Sequence, residues 1–159
     1  MIIAECENDQ SLMHRLGIAS DQIRHELGRS RALTRTDNWK KPLPVIGVVD
    51  EDPKAGKHPL MSNYELVKGS TKTISLKRKG KSDKWIIIVP SFFEDWLCKV
   101  AKRNSIKPSN FNLPDNPMEL HKISFRKNEN ARRFLIELVR TEDNELLEFK
   151  EWLSLAVHY

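Results

Sequence analysis

The sequence lacks the glycine-rich phosphate loops of nucleotide hydrolases, and it contains little cysteine. Neither a G-x-x-x-x-G-K-[ST] nor a G-x-G-x-x-G string occurs, which excludes nucleotide hydrolysis by a P-loop. The two cysteines, Cys6 and Cys98, form neither a zinc pattern nor a disulfide framework. A reducing cytoplasm is therefore the expected environment.

Long apolar runs are also missing. No run approaches the roughly 20 residues that a membrane-spanning helix needs, and the first residues turn acidic at Glu5 without the regions of a signal peptide. We therefore expect a soluble cytoplasmic chain without a membrane partner. The five histidines show no metal-ligand spacing, and we expect ordinary surface or packing roles for them: His14, His25, His58, His121 and His158.

The sequence does contain a regular alternation of apolar and polar segments. The chain has 159 residues, of which 39% are hydrophobic and 31% charged, as is typical of a globular domain. The formal net charge of +5 is modest, but it has the sign that nucleic-acid binding requires.

Apolar segments of two periodicities indicate both strands and helices. Runs rich in β-branched residues predict strands at residues 1–6, 44–49, 64–79 and 84–90. Helical spacing predicts helices after Asn8, over residues 21–27, from Ser91, and around residues 131–139 and 146–153. We interpret the basic stretch 29–41 as a loop, and also the proline-containing stretches 52–62 and 107–117.

This order of elements predicts a three-layer, Rossmann-like α/β fold, with a mostly parallel sheet, flanking helices and a helical C-terminal part. We expect one domain, with an α/β core at residues 1–105. Residues 106–159 would supply a loop and two helices that pack on the same core. In such folds, function usually lies at the carboxyl ends of the parallel strands.

Acidic side chains follow two of the predicted buried strands. Glu5 and Asp9 come after the first strand, and Asp50 and Asp52 come after the central one. Close carboxylates repel one another unless a cation compensates them, and hard oxygen ligands without His or Cys favour Mg²⁺ or Mn²⁺. We therefore predict a metal site of Glu5, Asp50 and Asp52, with Asp9 as a secondary ligand.

Glu94 follows the strand at 84–90, and there it is a candidate ligand for a second metal. The alternative is structural, because Ser91 and Glu94 have the spacing of a capping box. Strand-end acids in general also cap helices or face solvent.

The two acidic motifs resemble those of the Toprim family of topoisomerases, primases and overcoming-lysogenization-defect-type nucleases. The stretch Ile2-Ile3-Ala4-Glu5-Cys6-Glu7-Asn8-Asp9 is similar to the first family motif, with Cys6 in place of the usual glycine. Val48-Val49-Asp50-Glu51-Asp52, followed by Gly56, is similar to the second. The resemblance covers about the first 100 residues.

The resemblance implies that Glu5 performs acid/base or metal-binding work and that Asp50 and Asp52 hold Mg²⁺. The family normally has a strand between its two motifs. Residues 32–41 make a poor strand, so the resemblance implies a reduced Toprim-like core. A chain of 159 residues without a tyrosine-bearing strand-passage domain favours a nuclease, for instance one of a phage-defence or mobile-element system with a partner ATPase or a second copy of itself.

Basic side chains near these motifs are candidates for contacts with the phosphate backbone of DNA or RNA: Lys54, Lys77, Arg78, Lys79 and Lys81. A second basic run, from Arg29 to Lys41, precedes the central strand. Charge runs are equally compatible with a solvated surface. The opposing hypothesis is a non-catalytic basic interaction module, or a partner subunit with a degenerate metal site.

Two other enzyme classes share an apolar strand that ends in acids. In dehalogenase-like phosphatases the first Asp of Asp-x-Asp is the nucleophile, but here Asp50 lies well inside the chain and Pro53 follows Asp52. A receiver-like phosphoacceptor domain pairs acids after its first strand with a later Asp, which Glu5, Glu7 and Asp50 match only weakly.

Overall fold

A six-stranded, mostly parallel sheet organises the computed structural model, which describes residues 1–157. His158 therefore lies outside the described residues. The strand order is β2-β1-β3-β6-β5-β4; the first four strands are parallel, and β5 and β4 continue the sheet antiparallel. The strands are β1 (Ile2–Ala4), β2 (Ile23–His25), β3 (Val45–Asp50), β4 (Glu65–Gly69), β5 (Ser75–Arg78) and β6 (Lys84–Val89).

Helices cover both faces of this sheet, which confirms the predicted Rossmann-like α/β class. They are α1 (Glu7–Arg15), α2 (Arg29–Asp37), α3 (Phe93–Arg103), α4 (Pro117–His121), α5 (Glu129–Arg140) and α6 (Asn144–Ser154). Alternate strand residues enter two separate apolar clusters, since successive side chains point to opposite faces. Ile46 and Val48 join the cluster that contains α1, α3, α5 and α6, and Val45 and Val49 join the smaller cluster around α2.

The C-terminal helices pack against the main sheet cluster. Phe134 and Leu138 of α5 and Phe149 and Trp152 of α6 belong to the same buried cluster as the strand residue Ile2. The predicted loop at 107–117 contains a short 3-10 helix (Pro108–Phe111), and α4 begins at its last residue. None of the helices within residues 1–157 is long and apolar enough to cross a bilayer.

The predicted helix at residues 21–27 is wrong. A single 3-10 turn (Ser20–Gln22) leads into β2, which pairs parallel with β1 in the register Ile2 to Ile23. Only Ile23 of β2 is buried, so the segment has no apolar period of its own. Backbone pairing with β1 overrides the local preference. The strand that was expected to be absent between the two acidic motifs is therefore present.

The predicted loop at 29–41 is also wrong over its first nine residues, which form α2. The buried stripe of this helix is only Ala32, Leu33 and Thr36, and basic side chains occupy its outer face. So narrow a stripe is easily mistaken for an irregular segment. The predicted strand at 64–79 is in fact the hairpin β4–β5. Its turn begins at Gly69, where φ is +87° and a Cβ would lie 2.1 Å from the Ile74 carbonyl oxygen.

Helix α2 lies close against β3 at Gly47. A Cβ on Gly47 would lie 2.6 Å from Thr36 Oγ1, and that hydroxyl is fully buried and donates to the Ala32 carbonyl over 2.9 Å. A short, stiff threonine side chain has little freedom to move aside. The absence of a side chain at position 47 therefore sets the distance between α2 and the sheet.

We predict that Gly47→Ala lowers the free energy of unfolding by about 1–3 kcal/mol, the usual range for an overpacked core. Urea unfolding measures the loss. The control is a double-mutant cycle with Thr36→Ala, in which the double variant should lose less than the sum of the two single variants. Additive losses would contradict the proposed contact.

Candidate metal centre

The carboxyl ends of β1 and β3 lie side by side and bring the two acidic motifs together. The pairing of Ala4 with Val48 sets the register, and the Glu5 amide donates to the Val48 carbonyl over 3.2 Å. The Glu5 side chain then turns toward β3, where its Oε2 accepts a 2.7 Å hydrogen bond from the Asp50 amide. Glu5 and Asp50 are therefore direct neighbours, as the sequence predicted.

The Asp50 carboxylate has an unsatisfied oxygen. Among the described residues, its Oδ1 is buried and has no hydrogen-bond partner. Burial raises the pKa of Asp50, and the charges of Asp9 and Glu5 raise it further, while the Phe93 amide at the start of α3 opposes them. A buried carboxylate oxygen that lacks a donor is a costly feature, and a bound cation would satisfy it.

Asp9 caps the first helix and also belongs to the acidic cluster. Its Oδ1 accepts from the Cys6 thiol over 2.9 Å, and its Oδ2 accepts from the Cys6 amide over 3.2 Å. Cys6 thus takes part in a capping box at the start of α1. Burial is the main cause that raises the pKa of Asp9, with smaller contributions from Glu5 and Glu94. Both of its oxygens are therefore already engaged.

Glu94 is fully buried, and its alternative role as a capping-box residue is wrong. Helix α3 is capped by Phe92 without a side-chain bond, and Ser91 has a left-handed φ of +61°. Glu94 Oε1 instead accepts from Asn8 Nδ2 over 2.7 Å, and Oε2 lies 2.9 Å from His121 Nδ1. The charge of Glu94 contributes to raising the pKa values of Asp9 and Asp50, which makes it part of the same electrostatic cluster.

Asn8 and His121 were not identified from the sequence as site residues. Besides its bond to Glu94, Asn8 donates to the Ile123 carbonyl over 3.1 Å and accepts from the Phe125 amide over 3.0 Å. His121 was expected to have an ordinary surface or packing role, but its ring is a partner of a buried acid. Only the tertiary position of the end of α4 and of the chain that follows it creates these contacts, so no local pattern signals them.

Asp52 lies at the rim of the cluster. It is exposed, has a φ of +43° and donates its amide to the Ser91 carbonyl over 3.1 Å. Its charge contributes to raising the pKa of Glu5, although burial is the larger cause. Asp52 is therefore close enough to act on Glu5 and free to turn toward a ligand.

Within residues 1–157, no three His, Cys, Asp or Glu side chains are grouped as ligands for one ion.

Arg29 is a cation that the sequence analysis did not single out for this site. It is the first residue of α2, and its charge and backbone amide both oppose the raised pKa of Glu5. Its Nη1 donates to the Gly56 carbonyl over 3.1 Å, while its buried Nε has no partner among the described residues. A glycine directly before a helix, here Gly28, would have indicated that Arg29 lies at a helix start. The sequence did not lead us to predict α2, so this signal was not recognised.

The predicted basic residues lie at two opposite sides of the sheet, some near the carboxyl ends of the parallel strands and the others near their amino ends. Lys54 is exposed in the loop after Asp52, and Lys77 lines a cleft beside that loop. Arg78 pairs in register with Trp85, near the amino end of β6, and its guanidinium lies 4.6 Å from the Trp85 ring centroid. Lys79 forms a 2.7 Å ion pair with Asp37. The turn that carries Lys81 therefore lies at the opposite edge from Glu5 and Asp50.

Three helices begin at the acidic edge, and their N-termini partly compensate for its charge. Asp9 lies in the first turn of α1, Glu94 lies in the first turn of α3, and Arg29 opens α2 beside Glu5. Positive helix N-termini stabilise carboxylates. The side-chain oxygens of Glu5, Asp50 and Asp52 at this edge are carboxylate oxygens, a ligand type that Mg²⁺ and Mn²⁺ prefer.

Comparisons of the chain with protein-family models, curated proteins and solved structures gave no match. The class that the geometry defines is therefore an α/β protein with a carboxylate cluster at the carboxyl edge of its parallel strands.

We predict that Asp50→Asn raises the stability of the metal-free protein at neutral pH by about 1–2 kcal/mol, the scale of one or more pKa units. The folded-state pKa of Asp50 is raised, so the folded state binds more protons than the unfolded state. Wild-type stability should therefore fall as pH rises from about 4 through the raised pKa.

Thermal unfolding in EDTA between pH 5 and 9 measures this effect, and the Asn variant should show a shallower pH dependence. Asp21→Asn is the matched control because Asp21 is exposed, and it should change neither stability nor slope. An Asp50→Asn variant that is less stable than wild type across this range would refute the interpretation.

Proposed function

We propose that this chain is a small Toprim-like nuclease that uses Mg²⁺ or Mn²⁺ to cleave phosphodiester bonds in nucleic acid. The observation that carries the proposal is the buried, unpartnered Oδ1 of Asp50 beside the carboxylate of Glu5. Both groups have raised pKa values, chiefly because they are buried. A divalent cation would remove the electrostatic cost of this arrangement.

The topology supports the resemblance to the Toprim family. Glu5 follows β1, Asp50 ends β3, and these strands are adjacent in the parallel part of the sheet. Strand β2 lies between the two motifs in sequence, where the family normally has a strand, and this supports the resemblance.

The accessibility of each acidic side chain indicates its role, as a metal ligand, a proton carrier or a positioning residue. Asp50 and Asp52 would hold the ion, because one has a free oxygen and the other is exposed. Glu5 would move the proton, since burial raises its pKa and the Asp50 amide orients it. Asp9 and Glu94 are engaged by Cys6, Asn8 and His121, which suits positioning residues. The cation would polarise the phosphate and activate water.

A basic groove on α2 supports nucleic acid as the substrate class. The groove has a volume of about 700 Å³, and its cationic lining consists of Arg24, Arg31, Arg35, Lys40 and Lys41. Glu26 is the one acid among its lining residues, and it is paired with Arg35 over 2.9 Å. Because α2 starts at Arg29 beside Glu5, a strand bound in this groove would lead toward the carboxylates. Such contacts neutralise phosphates without reading sequence.

The first test is metal binding. In the wild-type protein, saturating Mg²⁺ or Mn²⁺ should raise the melting temperature, by about 2–4 °C for each kcal/mol of binding free energy. The shift should disappear in Asp50→Asn and Asp52→Ala, and it should persist in Asp83→Ala, whose side chain is 67% exposed at the opposite edge. Absence of a shift in wild type would refute the metal site.

The second test is cleavage of plasmid, single-stranded DNA and RNA in the presence of Mg²⁺ or Mn²⁺. Glu5→Gln keeps an acceptor for the Asp50 amide but loses the titratable oxygen, so it should reduce the rate by at least about 100-fold. Glu7→Gln is the matched control, because Glu7 is bound to Ser124 instead. Full activity of Glu5→Gln would remove this residue from the mechanism.

The second candidate function is a non-catalytic basic interaction module or a partner subunit, with an ATPase or a second copy as its partner. The engaged oxygens of Asp9 and Glu94 favour it, because a degenerate site would keep its acids satisfied within the fold. This candidate predicts nucleic-acid binding that depends on the α2 groove, with neither a metal-induced shift nor cleavage. The two tests above therefore separate the candidates.

A further inference from the structure

A cleft of about 900 Å³ opens beside the acidic edge, between the loop after Asp52 and the β4–β5 hairpin. Its volume is within the range of about 300–1,000 Å³ that is typical of small-molecule sites. Glu51 and Asp52 line one side of it. The cleft is thus separate from the buried carboxylates but shares a boundary with them.

The loop wall of this cleft is fixed by contacts to α2. Arg29 Nη1 donates to the Gly56 carbonyl over 3.1 Å, and Ser30 Oγ lies 3.1 Å from His58 Nε2. His58 Nδ1 in turn accepts from the Leu60 amide over 3.3 Å and caps the 3-10 helix Pro59–Asn63. The loop wall of the cleft therefore has a defined position relative to α2.

The lining combines three kinds of chemical group. Its cations are Arg29, Lys57 and Lys77, and the Nε of Arg29 is buried without a partner among the described residues. Its apolar part includes Met61, Leu66 and Ile88, together with proline rings. Leu66 is 58% exposed, so part of its side chain is available to a ligand. Hydroxyl groups complete the lining, from Ser62, Ser70, Thr71, Thr73 and Ser75.

We propose that this cleft binds one nucleotide, with the phosphate at Arg29, Lys57 and Lys77 and the base against the apolar wall. A purely apolar ligand would offer no group of opposite charge to Arg29, Lys57 and Lys77. A simple anion would leave Leu66 and Met61 uncovered, and it would not fill the volume. A nucleotide has an anionic end, a hydroxyl-bearing sugar and a flat apolar face, which match the three parts of the lining.

The nucleotide has two sources with the same chemistry: a free mononucleotide and one unit of a nucleic-acid strand. The strand as the source rests on the proposed function, since the cleft adjoins Asp52 and a strand held there would pass the carboxylates. Binding itself does not require metal or cleavage. The two ideas can therefore fail separately.

The test uses isothermal titration of the full chain carrying Asp50→Asn, in EDTA and at low salt. The probes are AMP, dTMP, inorganic phosphate and a short single-stranded oligonucleotide. We expect mononucleotides or the oligonucleotide to bind at least about tenfold more tightly than phosphate, because only they cover the apolar wall. Competition between AMP and the oligonucleotide identifies a shared site.

The structure offers matched control variants on the same hairpin. Lys77→Glu and Leu66→Ser alter the cleft, whereas Lys68→Glu and Val67→Ser alter neighbouring exposed residues that do not line it. We expect the cleft variants to weaken binding by about tenfold or more, and the controls to change it less than about twofold. Unchanged melting temperatures verify that every variant is folded.

Each outcome bears on the proposal. Binding of AMP that is lost in Lys77→Glu and Leu66→Ser supports the site, and the same pattern for the oligonucleotide alone supports a strand as the source. Three results would overturn it. They are no binding by any nucleotide probe, binding of phosphate as tight as that of the nucleotides, and equal effects of the cleft and control variants. Metal-dependent cleavage without nucleotide binding would overturn the cleft proposal and leave the proposed function standing.

Discussion

The hydrogen bond from the Asp50 amide to the Glu5 carboxylate joins the ends of two neighbouring strands, and the organisation of the acidic edge depends on it. It forms because β1 and β3 pair in parallel and end at the same edge. The same pairing forces like charges into a partly buried space, where their repulsion is weakly screened. Helix N-termini and Arg29 reduce this repulsion, and the part that remains contributes to the raised pKa values of Glu5 and Asp50.

The C-terminal half of the chain contributes to this edge although it carries none of the proposed metal ligands. Asn8 joins α1 to the backbone at Ile123 and Phe125, and His121 joins the end of α4 to Glu94. A second polar connection lies farther away, where Arg103 of α3 forms a two-point ion pair with Asp143, the cap of α6, over 2.8 and 2.9 Å. That pair holds the pKa of Asp143 down to about 2. Helix α3 is thus held in place by the segments that follow it.

The parts of the fold that were predictable from the sequence are those with a strong local signal. Strands β3 and β6 are continuous β-branched runs, and α5 and α6 have clear apolar faces. Strand β2 and helix α2 were not predicted, because each buries too few residues to show a period. Their structure is imposed by pairing with β1 and by packing against Gly47.

The same distinction holds for the candidate site. The adjacency of Glu5 and Asp50 follows from strand ends in a parallel sheet, so the sequence was sufficient to predict it. The contacts of Arg29, Asn8 and His121 depend on segments that meet only in the folded chain. The opposite edge position of Lys81 likewise follows from the antiparallel register of β5 with β6, which the sequence did not specify.

The hydrogen bonds of Cys6 have a consequence for the redox chemistry of this edge. Burial raises the pKa of its thiol, and the neighbouring Asp9 raises it further. Thiolates are the nucleophilic and oxidation-prone form of cysteine, so burial and the contact with Asp9 disfavour the reactive form of Cys6. The Cys6 side chain instead serves this edge as a hydrogen-bond donor to Asp9.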